Sequence, residues 1–148
     1  PPKVQKVESI DLDGKPAKLP YFGEKNLMIF YVDPDRHKQN EDFTIELEQN
    51  HRAESDNIHG FGVMNLKDAP MVPNGMARNM AKKRTAKNGA TVLADQNRIL
   101  STAWALGDCN NQFVLMIVSK EGELVFLRKG ELSDADKEAF YETIEKYK

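Results

Sequence analysis

Apolar and polar residues are arranged along the chain in a way that predicts strands and helices in turn. Val4 to Leu12 alternates roughly between the two kinds, which predicts a weak or edge strand. Asp13-Gly14 is a hairpin signal, and Lys15 to Leu19 can return as a short second strand. Asn26 to Val32 reads NLMIFYV, an apolar run too short for an ordinary helix. We expect it to form a central strand that is covered on both faces.

A helix is predicted directly after this strand. Asp33-Pro34-Asp35 ends the strand, since proline fixes φ and lacks a backbone donor. The segment up to about position 50 places Phe43 and Leu47 four residues apart, with acidic side chains on the other faces, as in an amphipathic helix. Asp35 is suited to be its N-cap residue, and so is Asn40.

The middle of the chain continues the alternation of strands and helices. Ile58 to Leu66 predicts a strand, Asp68 to Gly75 a loop, and Met76 to Lys87 a helix rich in good helix formers. Ala90 to Ala94 predicts another short strand. Arg98 to Leu106 predicts a short helix, although the second strand of a hairpin would also fit this segment.

The last part of the chain has the clearest pattern. Phe113 to Val118 and Glu123 to Arg128 predict a hairpin, with a turn at residues 119–122. Ser133-Asp134-Ala135-Asp136 fits the start of a capping box, with Asp in place of the usual Glu. Phe140, Ile144 and Tyr147 then lie along one face of a terminal helix. The whole order predicts an α/β fold, with a mixed central sheet and helices on both faces.

The composition is that of one folded domain. The chain has 148 residues and a formal net charge of -2, with 40% hydrophobic and 30% charged residues. This length predicts a single domain over 1–148 with an apolar core. The hydrophobicity and low net charge argue against disorder, and the lack of a basic excess argues against nucleic-acid binding. No apolar run reaches the roughly 18–20 residues of a membrane span, so we expect none.

The number and spacing of the cysteine and histidine residues limit the redox and metal sites that the protein can form. A single cysteine, Cys109, excludes an intrachain disulfide, a C-x-x-C redox pair and a cysteine-rich zinc site. The histidines, His37, His51 and His59, match no compact zinc spacing. Gly60 and Gly62 lack the rest of a phosphate-binding pattern. The sequence therefore predicts no metal and no cofactor.

The sequence has one basic cluster, formed by Lys82, Lys83, Arg84 and Lys87. Such a cluster suits an anionic partner or a lipid headgroup, but at the end of a helix it is more often simply solvated. We therefore favour a solvated helix end here. Trp104 and the methionines are expected in the core.

The second half of the chain contains a series of short motifs at residues 73–76 (PNGM), 90–95 (ATVLAD), 103–106 (AWAL), 114–118 (VLMIV), 120–126 (KEGELVF) and 129–133 (KGELS). Their order and spacing resemble those of the bacterial YtfJ family, a largely uncharacterised family with a thioredoxin-like fold. The resemblance covers about residues 5 to 146 and is closest from 71 onward. It implies a single thioredoxin-like domain and a periplasmic protein whose signal peptide has been removed. It implies no established activity.

The chain departs from redox thioredoxins at both parts of the dithiol machinery. Redox thioredoxins carry C-x-x-C where the strand NLMIFYV meets its helix, and this chain has Val32-Asp33-Pro34-Asp35-Arg36 there. The thioredoxin cis-proline is expected just before the Phe113 strand, where this chain has Asn110-Asn111-Gln112. We therefore expect no dithiol–disulfide exchange.

Asp33, Asp35, Arg36 and His37 occupy the strand–helix junction and are the candidate binding residues. Two carboxylates and an imidazole at a helix N-terminus could bind a cation or act as acid and base. Asp near a first helical turn is also stabilising on its own, because it caps the helix and opposes the helix dipole. We favour this capping interpretation.

Cys109 is the alternative candidate, as the catalytic residue of a single-cysteine thiol oxidoreductase or peroxidase. A reactive thiol needs a cation or a helix N-terminus nearby, and the polar loop Gly107-Asp108-Cys109-Asn110 supplies an anion instead. The leading interpretation is therefore a non-redox, periplasmic binding or accessory module, with a protein partner left open. A cytoplasmic regulatory module with a protein partner is a further alternative.

Overall fold

Among the residues that the structure describes, seven strands form one sheet in the computed structural model, in the order β2-β1-β5-β4-β3-β6-β7. The structure describes residues 1–67 and 73–148, without the side chains at positions 74, 87 and 88. The strands are β1 (Glu8–Ile10), β2 (Pro16–Lys18), β3 (Asn26–Val32), β4 (Ile58–Asn65), β5 (Val92–Asp95), β6 (Phe113–Val118) and β7 (Leu124–Lys129).

Within the described residues, four α-helices and one short 3-10 helix lie between or after these strands. The 3-10 helix spans Pro34–Arg36, and the α-helices are α1 (Glu41–Asn50), α2 (Asn74–Asn88), α3 (Ile99–Ala103) and α4 (Asp134–Tyr147). The helical interpretation of Arg98 to Leu106 is thus confirmed by α3. Most of the loop expected over Asp68 to Gly75 lies outside the described residues.

β3 lies at the centre of the sheet, as its unbroken apolar sequence predicts. It pairs in parallel with β4 and antiparallel with β6. Leu27, Ile29 and Tyr31 are buried on one face, and Met28 and Phe30 are half-buried on the other. β5 is parallel to β4. The carboxyl ends of β3, β4 and β5 therefore meet at one edge of the sheet.

Helices cover both faces of this mixed sheet, which confirms the predicted fold class. On the first face Leu100 of α3 and Trp104, directly after it, pack with Ile29 and Tyr31. On the second face α1 and α4 pack on β6 and β7 through the cluster Phe43, Leu47, Leu115, Ile117, Phe126, Phe140 and Ile144. α2 packs on Met64 and Ala94, which pair with each other. Residues that pair across neighbouring strands project from the same face of a sheet. Met64 also pairs with Val32 of the second face, so α2 lies on that face too.

The N-terminal strand and the N-cap of α1 differ from the sequence prediction. β1 is only three residues long, and Val4, at the start of the predicted strand, donates its amide to Gly122 O at the β6–β7 turn. Asp35 caps no α-helix, since it lies inside the 3-10 helix. α1 follows Asn40, but the Asn40 side chain donates to Gly130 O and accepts from Leu132 N instead of capping.

The methionines are only partly in the core, which corrects the sequence prediction. Met116 is fully buried, whereas Met76 and Met80 on α2 are 56% and 50% exposed. The reason is that α2 packs on the sheet through two small residues, Ala77 and Ala81. Trp104 is buried as predicted, and its indole N–H donates to Gln5 O at 2.7 Å.

Candidate functional site

Asp33 lies at the junction between β3 and the 3-10 helix, and its side chain is fully buried. Its carboxylate accepts hydrogen bonds from the backbone amides of Asp35 and Asn111, each at 2.9 Å. Asp33 is therefore the N-cap of the 3-10 helix. It also connects this junction to the loop that precedes β6.

The other three junction residues, Asp35, Arg36 and His37, are exposed. Arg36 Nη1 contacts Asp35 O at 3.4 Å, and His37 Nδ1 lies 3.0 Å from Pro34 O. Both side chains contact carbonyl oxygens of residues close by in the sequence, whereas the Asp33 carboxylate points into the protein. A cation-binding or acid–base role for the four residues stays a prediction.

The loop before β6 lies where a thioredoxin would have its cis-proline. The described residues contain no cis peptide bond, and Asn111 adopts the left-handed conformation, with φ of 53°. This conformation is tolerated by asparagine better than by most residues. It lets the Asn111 amide reach Asp33, so the two segments are joined through a buried carboxylate.

Cys109 lies in the polar loop before β6, as predicted, but its side chain is buried. The side chain is 2% exposed and belongs to the apolar cluster that contains Tyr31, Leu100 and Trp104. Its Sγ lies 3.7 Å from Gly107 O, within reach for a weak S–H donor. The neighbouring residues Asp108 and Asn110 are exposed, so the polar local sequence does not indicate that Cys109 itself is buried.

A polar pocket of about 530 Å³ lies at Cys109. Its lining consists of Lys67, Arg98, Ser101 and residues 107–110. In addition, Lys129 Nζ donates to Asp108 O at 3.1 Å. The negatively charged Asp108 therefore lies near three cationic side chains, which come from three other parts of the chain. Their positions relative to Cys109 could not be read from the sequence.

Buried polar groups at the carboxyl ends of the parallel strands surround this region, and the sequence reasoning missed them. Tyr31 OH donates to the Asp95 carboxylate at 2.9 Å, and this carboxylate also accepts from the amides of Ile99 and Leu100 at 2.9 Å each. Asn65 Nδ2 contacts Cys109 O at 3.4 Å. The sequence did contain a signal, because Asn65 and Asp95 are polar residues at the ends of two strands that are apolar apart from His59.

Burial, followed by the Asp95 carboxylate, raises the pKa of Tyr31 above its ordinary range. Both effects disfavour a phenolate, since a buried negative charge is poorly solvated and repels the carboxylate. Tyr31 is therefore a neutral hydrogen-bond donor at physiological pH. It holds Asp95, and with it the start of α3, against β3.

The basic cluster on α2 is exposed at Lys82, Lys83 and Arg84, while the Lys87 side chain lies outside the described residues. Lys82 forms an ion pair with Asp13 in the turn between β1 and β2, which lowers the pKa of that carboxyl. Within the described residues, no group of three or more His, Cys, Asp or Glu side chains could hold a metal ion. No described helix is long and apolar enough to cross a membrane.

Several solved structures share this fold over nearly the whole chain. A peroxidoxin from Mycobacterium tuberculosis aligns with a TM-score of 0.64 and 14% identity, over 99% of this chain and 96% of that protein. A thiol-disulfide oxidoreductase from Bacteroides fragilis aligns with a TM-score of 0.63 and 12% identity, over 96% and 99% of the two chains. An exposed lipoprotein thioredoxin from Streptococcus pneumoniae gives 0.61 and 17% identity, also over 96% and 99%.

No protein-family model matches the chain, and no curated protein matches its sequence. The likeness to solved structures, at these low identities, shows the fold. The protein is a single thioredoxin-like α/β domain, in a fold that thiol-disulfide oxidoreductases and a peroxidoxin also adopt.

Proposed function

We propose that this thioredoxin-like protein is a thiol-dependent peroxidase that reacts through Cys109. The observation that carries the proposal is the pocket that Cys109 lines together with Lys67 and Arg98. Cationic side chains near a thiol favour the thiolate, which is the nucleophilic form. The peroxidoxin and the oxidoreductases of the same fold are consistent with thiol chemistry.

The burial of Cys109 favours a small oxidant over a protein disulfide. Cys109 is 2% exposed, so a folded protein substrate has poor access to its sulfur. The pocket of about 530 Å³ has room for a peroxide. The chain also has no second cysteine to resolve a mixed disulfide.

The reaction we propose therefore uses an external thiol as reductant. The Cys109 thiolate attacks the peroxide oxygen, an S–O bond forms, and the O–O bond breaks. The departing oxygen takes a proton and leaves as water or an alcohol, which leaves a sulfenic acid on Cys109. One external thiol displaces water to give a mixed disulfide. A second external thiol then releases the free disulfide and restores Cys109, so two thiols are oxidised for each peroxide reduced.

Peroxide consumption with dithiothreitol as reductant tests this proposal. We expect turnover above the no-protein blank, loss of turnover in Cys109→Ser, and slower turnover in the double variant Lys67→Gln with Arg98→Gln. Lys120→Gln removes an exposed cation from the β6–β7 turn and serves as the matched control, with unchanged activity. A folded wild-type protein whose rate equals the blank would contradict the proposal.

The second candidate function is a non-redox binding or accessory module. It is favoured by the strand–helix junction, where redox thioredoxins carry their thiols and where this chain uses the buried Asp33 as a structural cap. The same peroxide assay separates the two functions. Equal rates for wild type and Cys109→Ser, both at the blank, would support the binding module.

We also infer membership of the YtfJ family and a periplasmic location. Two of the motifs behind the resemblance, at 114–118 and 120–126, form the hairpin of β6 and β7, which supports this inference. One protein of the same fold is an exposed lipoprotein. Fractionation of bacteria that express the complete gene with a C-terminal tag tests the location. Recovery of the tagged protein with the cytoplasm would contradict it.

A further inference from the structure

Asp95 is the last residue of β5, and its buried carboxylate holds the first turn of α3. One carboxylate oxygen accepts from the amides of Asn97 and Ile99, at 3.3 Å and 2.9 Å. The other oxygen accepts from the Leu100 amide and from Tyr31 OH, at 2.9 Å each. Each oxygen therefore has two hydrogen-bond donors, which satisfies this carboxylate in spite of its burial.

The backbone conformation of Arg98 shows what this carboxylate imposes on the chain. Arg98 lies between the two amides that share one oxygen, and it adopts the left-handed conformation, with φ of 55° and ψ of 31°. A long side chain rarely accompanies this conformation, which glycine and asparagine tolerate better. Residues held in this way by the surrounding structure cluster at functional sites. Here the hydrogen bonds to Asp95, on either side of Arg98, hold the conformation.

The residues that Asp95 holds contribute two side chains to the pocket at Cys109. Arg98 directly precedes α3, and Ser101 lies within its first turn. Ser101 is only 5% exposed, so its place in the lining depends on where the start of the helix lies. The Asp95 carboxylate fixes that start through two backbone amides of the helix.

The segment that carries the second cation of the pocket is also bonded to Asp95. Lys67 follows Leu66, whose amide donates to Asp95 O at 2.9 Å. β4 and β5 are in register up to Asn65 and Asp95, so the two strands end side by side. Asp95 thus connects, through its carbonyl and its carboxylate, the two segments that bring Lys67 and Arg98 to the thiol.

We propose that Asp95 is a positioning residue of the Cys109 pocket, whose carboxylate fixes the start of α3 so that Arg98 reaches the pocket. This inference rests on the thiol chemistry proposed for Cys109, and it adds the group that sets one of the two cations in place. Asp95 acts on the sulfur through Arg98. Alkylation of Cys109 reports on the pocket whether or not the protein turns over peroxide, so the two proposals can be tested separately.

Removal of the Asp95 carboxylate distinguishes positioning from a direct charge effect, because the two predict opposite signs. A carboxylate repels an anion, so its loss by charge alone should raise the rate of Cys109 with iodoacetate relative to neutral iodoacetamide. Loss of the position of Arg98 takes a cation away from the sulfur and should lower this rate ratio. A lowered ratio after the removal of a negative charge therefore identifies positioning.

The rate ratio of iodoacetate to iodoacetamide at native Cys109 is compared in wild type, Asp95→Ala and Asp95→Asn. We expect Asp95→Ala to lower the ratio by about 1.4- to fivefold, the range of an exposed charge pair. Asp95→Asn retains one acceptor oxygen and should lower the ratio by a smaller factor. It keeps nearly the same shape, so the test stays decisive if Asp95→Ala fails to fold. In an Arg98→Gln background, Asp95→Ala should lower the ratio no further.

Ser133→Ala is the matched control for lost stability, because it removes a helix cap on the other face of the sheet from Cys109. Its ratio should equal that of wild type. The proposal is overturned by a folded Asp95 variant whose ratio equals or exceeds that of wild type, by losses that add in the double variant, or by an equal loss in Ser133→Ala. A wild-type ratio equal to that of the denatured chain also overturns it. Peroxide turnover at the blank, together with lowered ratios in the Asp95 variants, would contradict the peroxidase alone.

Discussion

The Asp33 carboxylate accepts a hydrogen bond of 2.9 Å from the backbone amide of Asn111, and this bond connects the end of β3 to the loop before β6. The same carboxylate accepts from the amide of Asp35 at 2.9 Å. These are the two segments that carry the dithiol and the cis-proline in redox thioredoxins. Here a fully buried acidic side chain joins them.

Replacement of Asp33 should therefore destabilise the protein. Asp33→Ala leaves two backbone amides without this acceptor and should lower the free energy of unfolding by about 1–3 kcal/mol. Asp33→Asn retains one acceptor oxygen and should cost less. Denaturant titration measures both variants. Asp35→Ala is the exposed control and should stay within about 0.5 kcal/mol of wild type, so equal losses at positions 33 and 35 would contradict this assignment.

Tyr31 should make stability fall at alkaline pH. Its pKa is raised above the ordinary value of 10.0, first by burial and then by Asp95, so the folded state holds the phenolic proton more tightly than the unfolded state does. The stability contributed by this difference is fully present below about pH 10 and is lost as the pH rises above it. Tyr31→Phe has no proton to lose and should show a shallower alkaline decline.

Denaturant titrations of wild type and Tyr31→Phe between neutral pH and pH 11 measure this effect. The variant should also lose about 1 kcal/mol at neutral pH, because the hydrogen bond to Asp95 is missing. The difference between the two proteins should therefore shrink as the pH rises. Parallel curves over the whole range would show that Tyr31 is not the group responsible.

The capping box of α4 should contribute measurably to stability. Ser133 Oγ accepts from Asp136 N at 3.1 Å, and Asp136 accepts in return from Ser133 N at 3.0 Å. Ser133→Ala should lower the free energy of unfolding by about 0.5–2 kcal/mol. Glu138→Gln lies on the exposed surface of the same helix and should have little effect. A loss at position 133 no larger than that at position 138 would place the cap elsewhere.

The same capping box should make the stability of the protein depend on pH in acidic solution. The Ser133 amide, and further the Arg128 guanidinium, lower the pKa of Asp136. A depressed carboxyl pKa adds stability that is present above about pH 4 and is lost as the pH falls through the folded pKa. Asp136→Asn has no carboxyl to titrate and should show a weaker acid dependence, and denaturant titration from pH 6 down to pH 2 would detect it.

The sequence predicted those parts of the fold that depend on local periodicity and capping. NLMIFYV formed a central strand because residues 27–32 alternate between the apolar clusters on the two faces of the sheet. Ser133 and Asp136 formed their predicted box because this motif needs only four consecutive residues. Met76 and Met80 were wrongly expected in the core, since the helix period alone does not tell which side of α2 meets the sheet.

The candidate sites depend on tertiary contacts, which explains why so little of them was predicted. Cys109 is flanked by exposed polar residues, so its burial is invisible in the local sequence. Lys67 and Arg98 reach its pocket from the ends of β4 and β5, and only the sheet order brings them together. Gly60 and Gly62 carried no phosphate-binding pattern. They line a groove between α1 and α2, and the sequence alone could not place these two helices.

The charge of the pocket at Cys109 should appear in the reactivity of the thiol towards charged reagents. Lys67 and Arg98 favour the approach of an anion, so native Cys109 should prefer iodoacetate over iodoacetamide more than the denatured chain does. Exposed charge pairs contribute about 0.2–1 kcal/mol, so we expect a preference of about 1.4- to fivefold. The rate ratio of the two reagents, which alkylate the same sulfur, cancels the effect of burial on access. Arg98→Gln should lower this ratio, and Lys120→Gln should not change it. A native ratio equal to that of the denatured chain would show that the two cations do not act on the sulfur, and it would remove the main support for a reactive Cys109.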